Sequence, residues 1–239
     1  MTFLVAALAV WALSPASERR PLGLMGTLPI YWGEAAGVEE LIAGNADPHW
    51  ARAVLEQDYE LVPLDTLAGA AGLGSPEAVG RALLAQPRPL SGAENVALDD
   101  WVRGGGHLLL FADPMLTGHS RFPIGDRRRP QDVILLSPIL SRWGLELQFD
   151  PQQDDDERTV AFEGTELPMR LPGNFRIVGT SPGAPANCEL AANGVIADCT
   201  IGSGRVLIVA DAAILEQDAE DPRRKRGLQV LADRAFADS

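Results

Sequence analysis

Two uninterrupted apolar segments constrain the fold of this chain more than any other feature. Residues 107–112 read HLLLFA, residues 205–210 read RVLIVA, and the segments are followed by Asp113 and Asp211. A strand that is apolar at nearly every position is typical of a sheet covered on both faces. Helical patterns alternate with strands along the chain, so the sequence predicts a doubly wound, mostly parallel α/β sheet.

Shorter apolar runs add strands to this sheet. They are predicted at residues 22–25, 59–64 and 82–85, each bounded by turn-forming residues. A helix is predicted from a capping box at residues 91–94 to the glycines at 104–106. Strand, helix and strand in this order support the parallel arrangement.

The stretch between the two long apolar strands has a different composition. Turn signals there separate short strand patterns, which predicts a β-rich insertion at about residues 145–202 and an antiparallel extension of the sheet. No linker sets the insertion apart, so residues 21–239 are predicted to form a single domain. A chain of 239 residues, 46% of them apolar, is long enough to bury one large core.

The N-terminal segment indicates export. Residues 3–13 are uncharged and almost wholly apolar, and small residues follow them. The run is shorter than the roughly 20 residues that cross a bilayer, and its length suits the apolar region of a secretory signal. We therefore predict a signal peptide or N-terminal anchor at residues 1–20, a periplasmic or exported location, and membrane contact through this segment alone. No positive charge precedes the run, and a buried helix or strand is the alternative.

The two cysteines predict a disulfide. Cys188 and Cys199 flank Asn193-Gly194, a dipeptide typical of a type I′ hairpin turn. A two-residue turn there places the cysteines directly opposite each other on neighbouring strands, within disulfide range. Such a bridge agrees with an oxidising compartment. Two unrelated buried thiols are the alternative.

Charge and motif content argue against several functions. The net charge of −13 repels phosphate backbones, so no nucleic-acid partner is predicted. No P-loop or G-x-G-x-x-G follows a strand, and the acidic run at residues 154–157 lacks the ligand spacing of a calcium loop. We therefore predict no cofactor and no metal. Two basic runs, at residues 127–129 and 223–226, are interpreted as salt-bridge partners or as contacts with anionic lipid or an acidic partner.

The sequence carries no recognisable nucleophile. It contains no G-x-C-x-G, and the three histidines are scattered. His49 is expected to open a helix and face solvent, His107 to begin a buried strand, and His119 to lie in the loop after Asp113, where it could line a cleft. No catalytic residue is predicted.

A ligand cleft is predicted at the carboxyl ends of the strands, where open α/β sheets bind ligands. An aromatic ring beside donor and acceptor side chains suits a carbohydrate-like ligand. The alternative is structural, because an aspartate after a strand often caps the next turn and a tryptophan can cover the core. The candidate cleft residues are Trp32, Gln86, Arg88, Asp113, Asp126 and Asp211.

Several segments together resemble a known family: LGLMGTLPIYWGE, LLAQPRPLS, LDDWVRGGGHLLLFADP, FPIGDRRRP with LSPILSRWGLEL, and VLIVADAAILE. They are similar to the periplasmic domains related to GldG, the ABC-transporter auxiliary protein of gliding motility. The resemblance implies a flavodoxin-related, class I glutamine-amidotransferase-like fold without catalysis. It also implies partners in an ABC-type transporter or cell-envelope complex, and a glycan as ligand. A hydrolase of the amidotransferase-like class is the alternative.

Overall fold

The computed structural model describes residues 19–33, 49–75, 78–179, 185–216 and 221–237. The predicted signal peptide or anchor lies outside the described residues, apart from its last two positions. Within the described ranges, no helix is both long enough and apolar enough to cross a membrane.

Strands outnumber helices in the described residues. The helices are α1 (Trp50–Leu55), α2 (Gly92–Arg103), α3 (Ser137–Arg142) and α4 (Pro222–Phe236). The strands are β1 (Arg20–Gly26), β2 (Tyr59–Pro63), β3 (Arg81–Ala85), β4 (His107–Phe111), β5 (Leu145–Gln148), β6 (Arg158–Phe162), β7 (Thr165–Met169), β8 (Asn174–Ile177), β9 (Ala186–Ala191), β10 (Ile196–Ile201) and β11 (Gly204–Val209).

A seven-stranded sheet forms the centre of the structure, in the order β2-β1-β3-β4-β11-β10-β9. Strands β2, β1, β3, β4 and β11 run parallel to one another. Strands β10 and β9 continue the sheet in antiparallel pairing. The prediction of a mixed α/β fold with a mainly parallel sheet and an antiparallel extension is confirmed. The remaining strands form two small antiparallel pairs, β5 with β8 and β6 with β7.

Helices cover both faces of the sheet, which explains the continuous apolar pattern of β4. Leu109 and Phe111 of this strand belong to the core on one face, together with α1 and α4. Leu108 and Leu110 belong to the core on the other face, together with α2 and α3. All four side chains are fully buried. These four residues of β4 supply both cores, so a polar side chain occurs only at the first position of the strand, His107.

The β9–β10 hairpin contains the predicted disulfide. Val195 N–H donates to the Ala192 carbonyl at 3.2 Å across the turn. The two central residues, Asn193 and Gly194, have φ of 57° and 89°, the positive values that a type I′ turn requires. The register places Cys199 opposite Cys188, and the two residues are bridged, with their Cα atoms 4.0 Å apart. The prediction of this disulfide is confirmed.

Breaking the disulfide is expected to lower the free energy of unfolding by about 2–3 kcal/mol, because the unfolded chain regains the entropy of the closed loop. The separation of 11 residues makes that loop short and the effect moderate. Urea denaturation with and without reductant measures the difference. The double variant Cys188→Ala/Cys199→Ala serves as the control, since its stability should not respond to reductant. A native protein that is equally insensitive to reductant would contradict the prediction.

Candidate functional site

The parallel strands point their carboxyl ends toward one edge of the sheet, and a cavity of about 240 Å³ lies there. We call it the edge cavity. Leu28 lines it from the loop after β1, residues 116–119 from the loop after β4, and Leu215 and Glu216 from the loop after β11. Three loops that are distant in sequence thus meet at the edge where a doubly wound sheet is expected to bind a ligand.

The edge cavity combines an apolar wall with hydrogen-bonding side chains. Leu28, Leu116 and Leu215 supply the apolar wall. The carboxylate of Glu216 accepts a hydrogen bond from the Thr117 hydroxyl at 2.6 Å. This bond fixes a negatively charged acceptor in the lining and joins the loops after β4 and β11.

Arg170 and His119 add basic groups to the same lining. Arg170 follows β7, and its Nε donates to the carbonyl of Asp155 at 2.7 Å. His119 is exposed to solvent. Donors on Arg170 and acceptors on Glu216 therefore border one small space, an arrangement that suits a ligand carrying several hydroxyl groups.

His49 also lines the edge cavity, and the expectation that it faces solvent is wrong. Its exposed fraction is 7%. Its Nδ1 accepts a hydrogen bond from Ala51 N–H at 3.2 Å and so caps α1, and the ring is also hydrogen-bonded to the carbonyl of Leu215. Burial lowers the pKa of His49 to about 4, against the smaller opposing effect of that second bond. The ring is therefore a neutral part of the wall at neutral pH.

Two of the predicted cleft residues, Asp113 and Asp211, lie beneath the edge cavity and are fully buried. The Asp113 carboxylate accepts hydrogen bonds from the backbone N–H groups of Met115 at 2.8 Å and Ala212 at 2.9 Å. The Asp211 carboxylate accepts from the N–H groups of Ala213 at 2.6 Å and Arg170 at 2.7 Å. These bonds hold the loops that form the cavity walls.

The two buried carboxylates also perturb each other. Burial raises the pKa of Asp113 to about 7, although the hydrogen bonds from Met115 and Ala212 oppose the shift. Burial, followed by the negative charge of Asp113, raises the pKa of Asp211 well above its usual range. Because neither carboxylate reaches solvent, ionising both is costly, and the pair retains a proton near neutral pH.

Gln86 lies beside Asp113 and is likewise fully buried. Its side-chain oxygen accepts from Asp113 N–H at 2.9 Å, and its Nε2 donates to the carbonyls of Asp113 and Gln131, each at 2.9 Å. The structure thus brings Gln86, Asp113 and Asp211 together, as a layer that supports the loops.

The structure places Arg88 in a different cluster. Its guanidinium donates to both carboxylate oxygens of Glu94, at 2.7 and 3.0 Å, and to the Asp65 carbonyl at 2.9 Å. Glu94 also accepts from Ser91 N–H at 2.9 Å, which completes the predicted capping box of α2. Arg88 therefore holds the start of a helix.

Trp32 and Asp126 lie apart from this cluster. Trp32 is 65% exposed and borders a neighbouring recess of about 150 Å³ together with Tyr31, whose ring meets it edge to face at 4.7 Å. Asp126 is bound to Arg128 in the loop after β4, and Arg128 lowers its pKa to about 2. The described lining of the edge cavity includes none of the six predicted cleft residues, so their ligand-binding role stays a prediction.

Sequence reasoning missed Thr117, Arg170 and Glu216 as lining residues. Glu216 follows β11 within the segment that carries Asp211, so position along the chain offered a weak signal for it. Arg170 lies in the β-rich insertion, and no signal in the sequence indicated it. Its place in the lining depends on the bond from its backbone N–H to Asp211.

No family model and no curated protein matches this sequence. Solved structures match over most of its length. The exo-β-1,4-mannosidase Op5Man5 from Opitutaceae bacterium strain TAV5 is similar with a TM-score of 0.54 and 13% identity, over 91% of this chain and 36% of the mannosidase. The mmIFT52 N-terminal domain is similar with a TM-score of 0.51 and 12% identity, over 92% of this chain and 99% of that domain.

ThuA-like proteins are also among the similar structures. The one from Bacteroides uniformis ATCC 8492 has a TM-score of 0.45 and 9% identity, over 94% of each chain. This chain spans about a third of the length of the mannosidase. At such identities the likeness to the mannosidase and the mmIFT52 domain shows a shared α/β fold and nothing of the chemistry.

Proposed function

We propose that this chain is a non-catalytic binding domain of the cell envelope that serves an ABC-type transporter or a related envelope complex. Its ligand is carbohydrate-like and occupies the edge cavity. The flavodoxin-related, amidotransferase-like form of the fold is part of this proposal, supported by the strand order β2-β1-β3-β4-β11, which is the 2-1-3-4-5 order of flavodoxin-like sheets.

One observation supports the binding role. Hydrogen-bonding side chains line the edge cavity, whereas the strand-end carboxylates below it already accept hydrogen bonds from backbone N–H groups. Asp113 and Asp211 together accept four backbone N–H groups and are fully buried, and neither belongs to the described lining of the edge cavity. Thr117, Arg170 and Glu216 line the space with groups that can pair with hydroxyls. Such a lining supports recognition better than bond cleavage.

The envelope role has separate support. The disulfide between Cys188 and Cys199 agrees with an oxidising compartment. Association with an ABC-type transporter rests on the resemblance of the sequence to GldG-related domains, and a pull-down from the membrane fraction of the native cells would test it. Recovery of an ATPase or permease would support this part of the proposal, and recovery of neither would contradict it.

Sugar binding in the edge cavity is expected to raise the melting temperature of the protein. A ligand at about 100 times its Kd stabilises the native state by about 2.7 kcal/mol. The probes are mannose, N-acetylglucosamine and soluble peptidoglycan fragments. We expect Glu216→Gln to weaken binding about tenfold, because hydrogen bonds to a charged acceptor contribute about 1.5–3 kcal/mol.

Glu166→Gln is the matched control, since Glu166 is an exposed carboxylate on β7 outside the described lining. It should bind the probes as the native protein does. A protein that responds to none of the probes would contradict the carbohydrate-like ligand, and binding that survives Glu216→Gln unchanged would place the ligand outside the edge cavity.

A hydrolase is the second candidate, and the raised pKa of Asp113 favours it. Buried, mutually perturbed carboxylates are frequent in active sites. Turnover of nitrophenyl glycosides or esters that disappears in Asp113→Asn, while the variant remains folded, would support catalysis. Absence of turnover in the native protein would favour the binding domain.

A further inference from the structure

The loop after β4 carries a basic and apolar surface that the edge cavity does not use. We call residues 121–129, RFPIGDRRR, the arginine loop. Residues 121–132 contain four arginines and two aspartates, which leaves this stretch with a net charge of +2 in a chain whose net charge is −13. A local positive charge on an acidic protein indicates a negatively charged partner at this position.

The apex of the arginine loop presents an isoleucine to solvent. Ile124 is 87% exposed, the largest value among the exposed large hydrophobic side chains of the described residues. Asp126 N–H donates to the Pro123 carbonyl at 3.1 Å, which closes a turn with Ile124 and Gly125 at its centre. Gly125 has φ of +90°, a value that favours glycine, so the backbone is shaped to hold the apex in place.

Arginine side chains are held behind this apex. The Arg128 guanidinium lies over the ring of Phe122, 4.2 Å from its centroid, and forms two bonds to Asp126, at 3.0 and 2.7 Å. Arg129 donates to the Phe122 carbonyl at 2.9 Å. Phe122 is buried beneath them. The arginine loop is thus ordered by its own contacts, which lowers the entropic cost of docking.

We propose that the arginine loop docks this protein on an anionic lipid bilayer. Ile124 enters the boundary between headgroups and acyl chains, and Arg127 and Arg128 contact the phosphate groups. An apolar side chain ahead of arginines matches the layering of a bilayer surface, where the charged layer lies outside the apolar one. An acidic protein surface would leave the exposed Ile124 without an apolar partner.

Docking in this way would also orient the edge cavity. His119, two residues before the arginine loop, and Pro130, directly after it, both line the cavity. A bilayer that contacts Ile124 therefore lies close to the cavity opening. The docking proposal stands without the proposed sugar ligand, because it rests on the charge and exposure of the loop.

Vesicle co-sedimentation with the full chain tests the proposal, with phosphatidylcholine vesicles compared to vesicles that also contain phosphatidylglycerol. Ile124→Asp and Arg127→Glu/Arg128→Glu are each expected to lower partitioning onto the anionic vesicles at least about tenfold. Ile124→Trp should retain binding, since tryptophan is favoured at the bilayer interface. All variants share the N-terminal segment, so differences between them report the loop alone.

The matched controls make the same kinds of substitution on other parts of the surface. Val96→Asp alters an exposed apolar residue of α2, and Lys225→Glu/Arg226→Glu reverses two exposed charges on α4; both should bind as the native chain does. Equal partitioning of Ile124→Asp and the native chain would overturn the proposal. So would binding of soluble polyglutamate that needs the arginines but not Ile124, since that result identifies an acidic polypeptide as the partner.

Discussion

Replacing Asp99 with alanine is expected to lower the free energy of unfolding by about 4 kcal/mol, because three donors lose one buried acceptor. The Asp99 carboxylate accepts from Arg103 Nε at 3.0 Å, Arg142 Nε at 2.5 Å and Trp143 Nε1 at 2.9 Å. Burial opposes its ionisation, yet the hydrogen bonds from Arg103, Arg142 and Trp143 lower its pKa overall. The carboxylate therefore joins α2 to α3 in its charged form.

Equilibrium denaturation in urea measures this effect, and the neighbouring residue supplies the control. Asp100 is exposed on the same helix, so Asp100→Ala should change stability by no more than about 0.5 kcal/mol. Asp99→Asn should fall between the two, since its amide oxygen still accepts one bond. Equal stabilities of Asp99→Ala and Asp100→Ala would show that the cluster contributes little.

Features that depend on neighbours in sequence could be predicted from the sequence. The disulfide register follows from a turn within the hairpin, and the capping box of α2 involves residues three positions apart. The strands β4 and β11 could be predicted from the sequence because both of their faces are buried, which makes nearly every position in them apolar. Each of these inferences uses only local geometry and burial.

The position of the edge cavity at the strand ends could be predicted, but its lining could not, because contacts between distant segments build it. His49 is buried and hydrogen-bonded to Leu215, and the Thr117–Glu216 bond joins positions 99 residues apart. The sequence located Asp113 and Asp211 at strand ends but left their role open. The backbone N–H groups of the following loops decide that role, since they turn toward the carboxylates.

The buried carboxylates predict that the effect of Asp113→Asn depends on pH. Asp113 has a native pKa of about 7 against an ordinary value of 3.8, so the native state retains a proton that the unfolded chain releases between these values. That stabilisation is complete below about pH 4 and is lost as the pH rises through about 7. Asparagine does not titrate, so the variant does not lose this stabilisation as the pH rises.

We therefore expect Asp113→Asn to be less stable than the native protein at about pH 5, since the amide supplies one acceptor where the carboxyl group supplied two. Its relative stability should improve by about 3 kcal/mol between about pH 5 and about pH 8, because only the native protein then has to ionise the buried carboxyl. Urea denaturation of both proteins at the two pH values gives the four free energies required.

His49→Asn is the control with the opposite sign. The native pKa of His49 is about 4 against an ordinary value of 6.5, so its contribution to stability is lost as the pH falls through this window. Asparagine can cap α1 without titrating, and the variant should therefore gain relative stability toward acid, whereas Asp113→Asn gains it toward base. A difference between native protein and Asp113→Asn that is the same at both pH values would mean that Asp113 is already ionised in the native state at about pH 5, and the proton of the buried pair would then lie on Asp211.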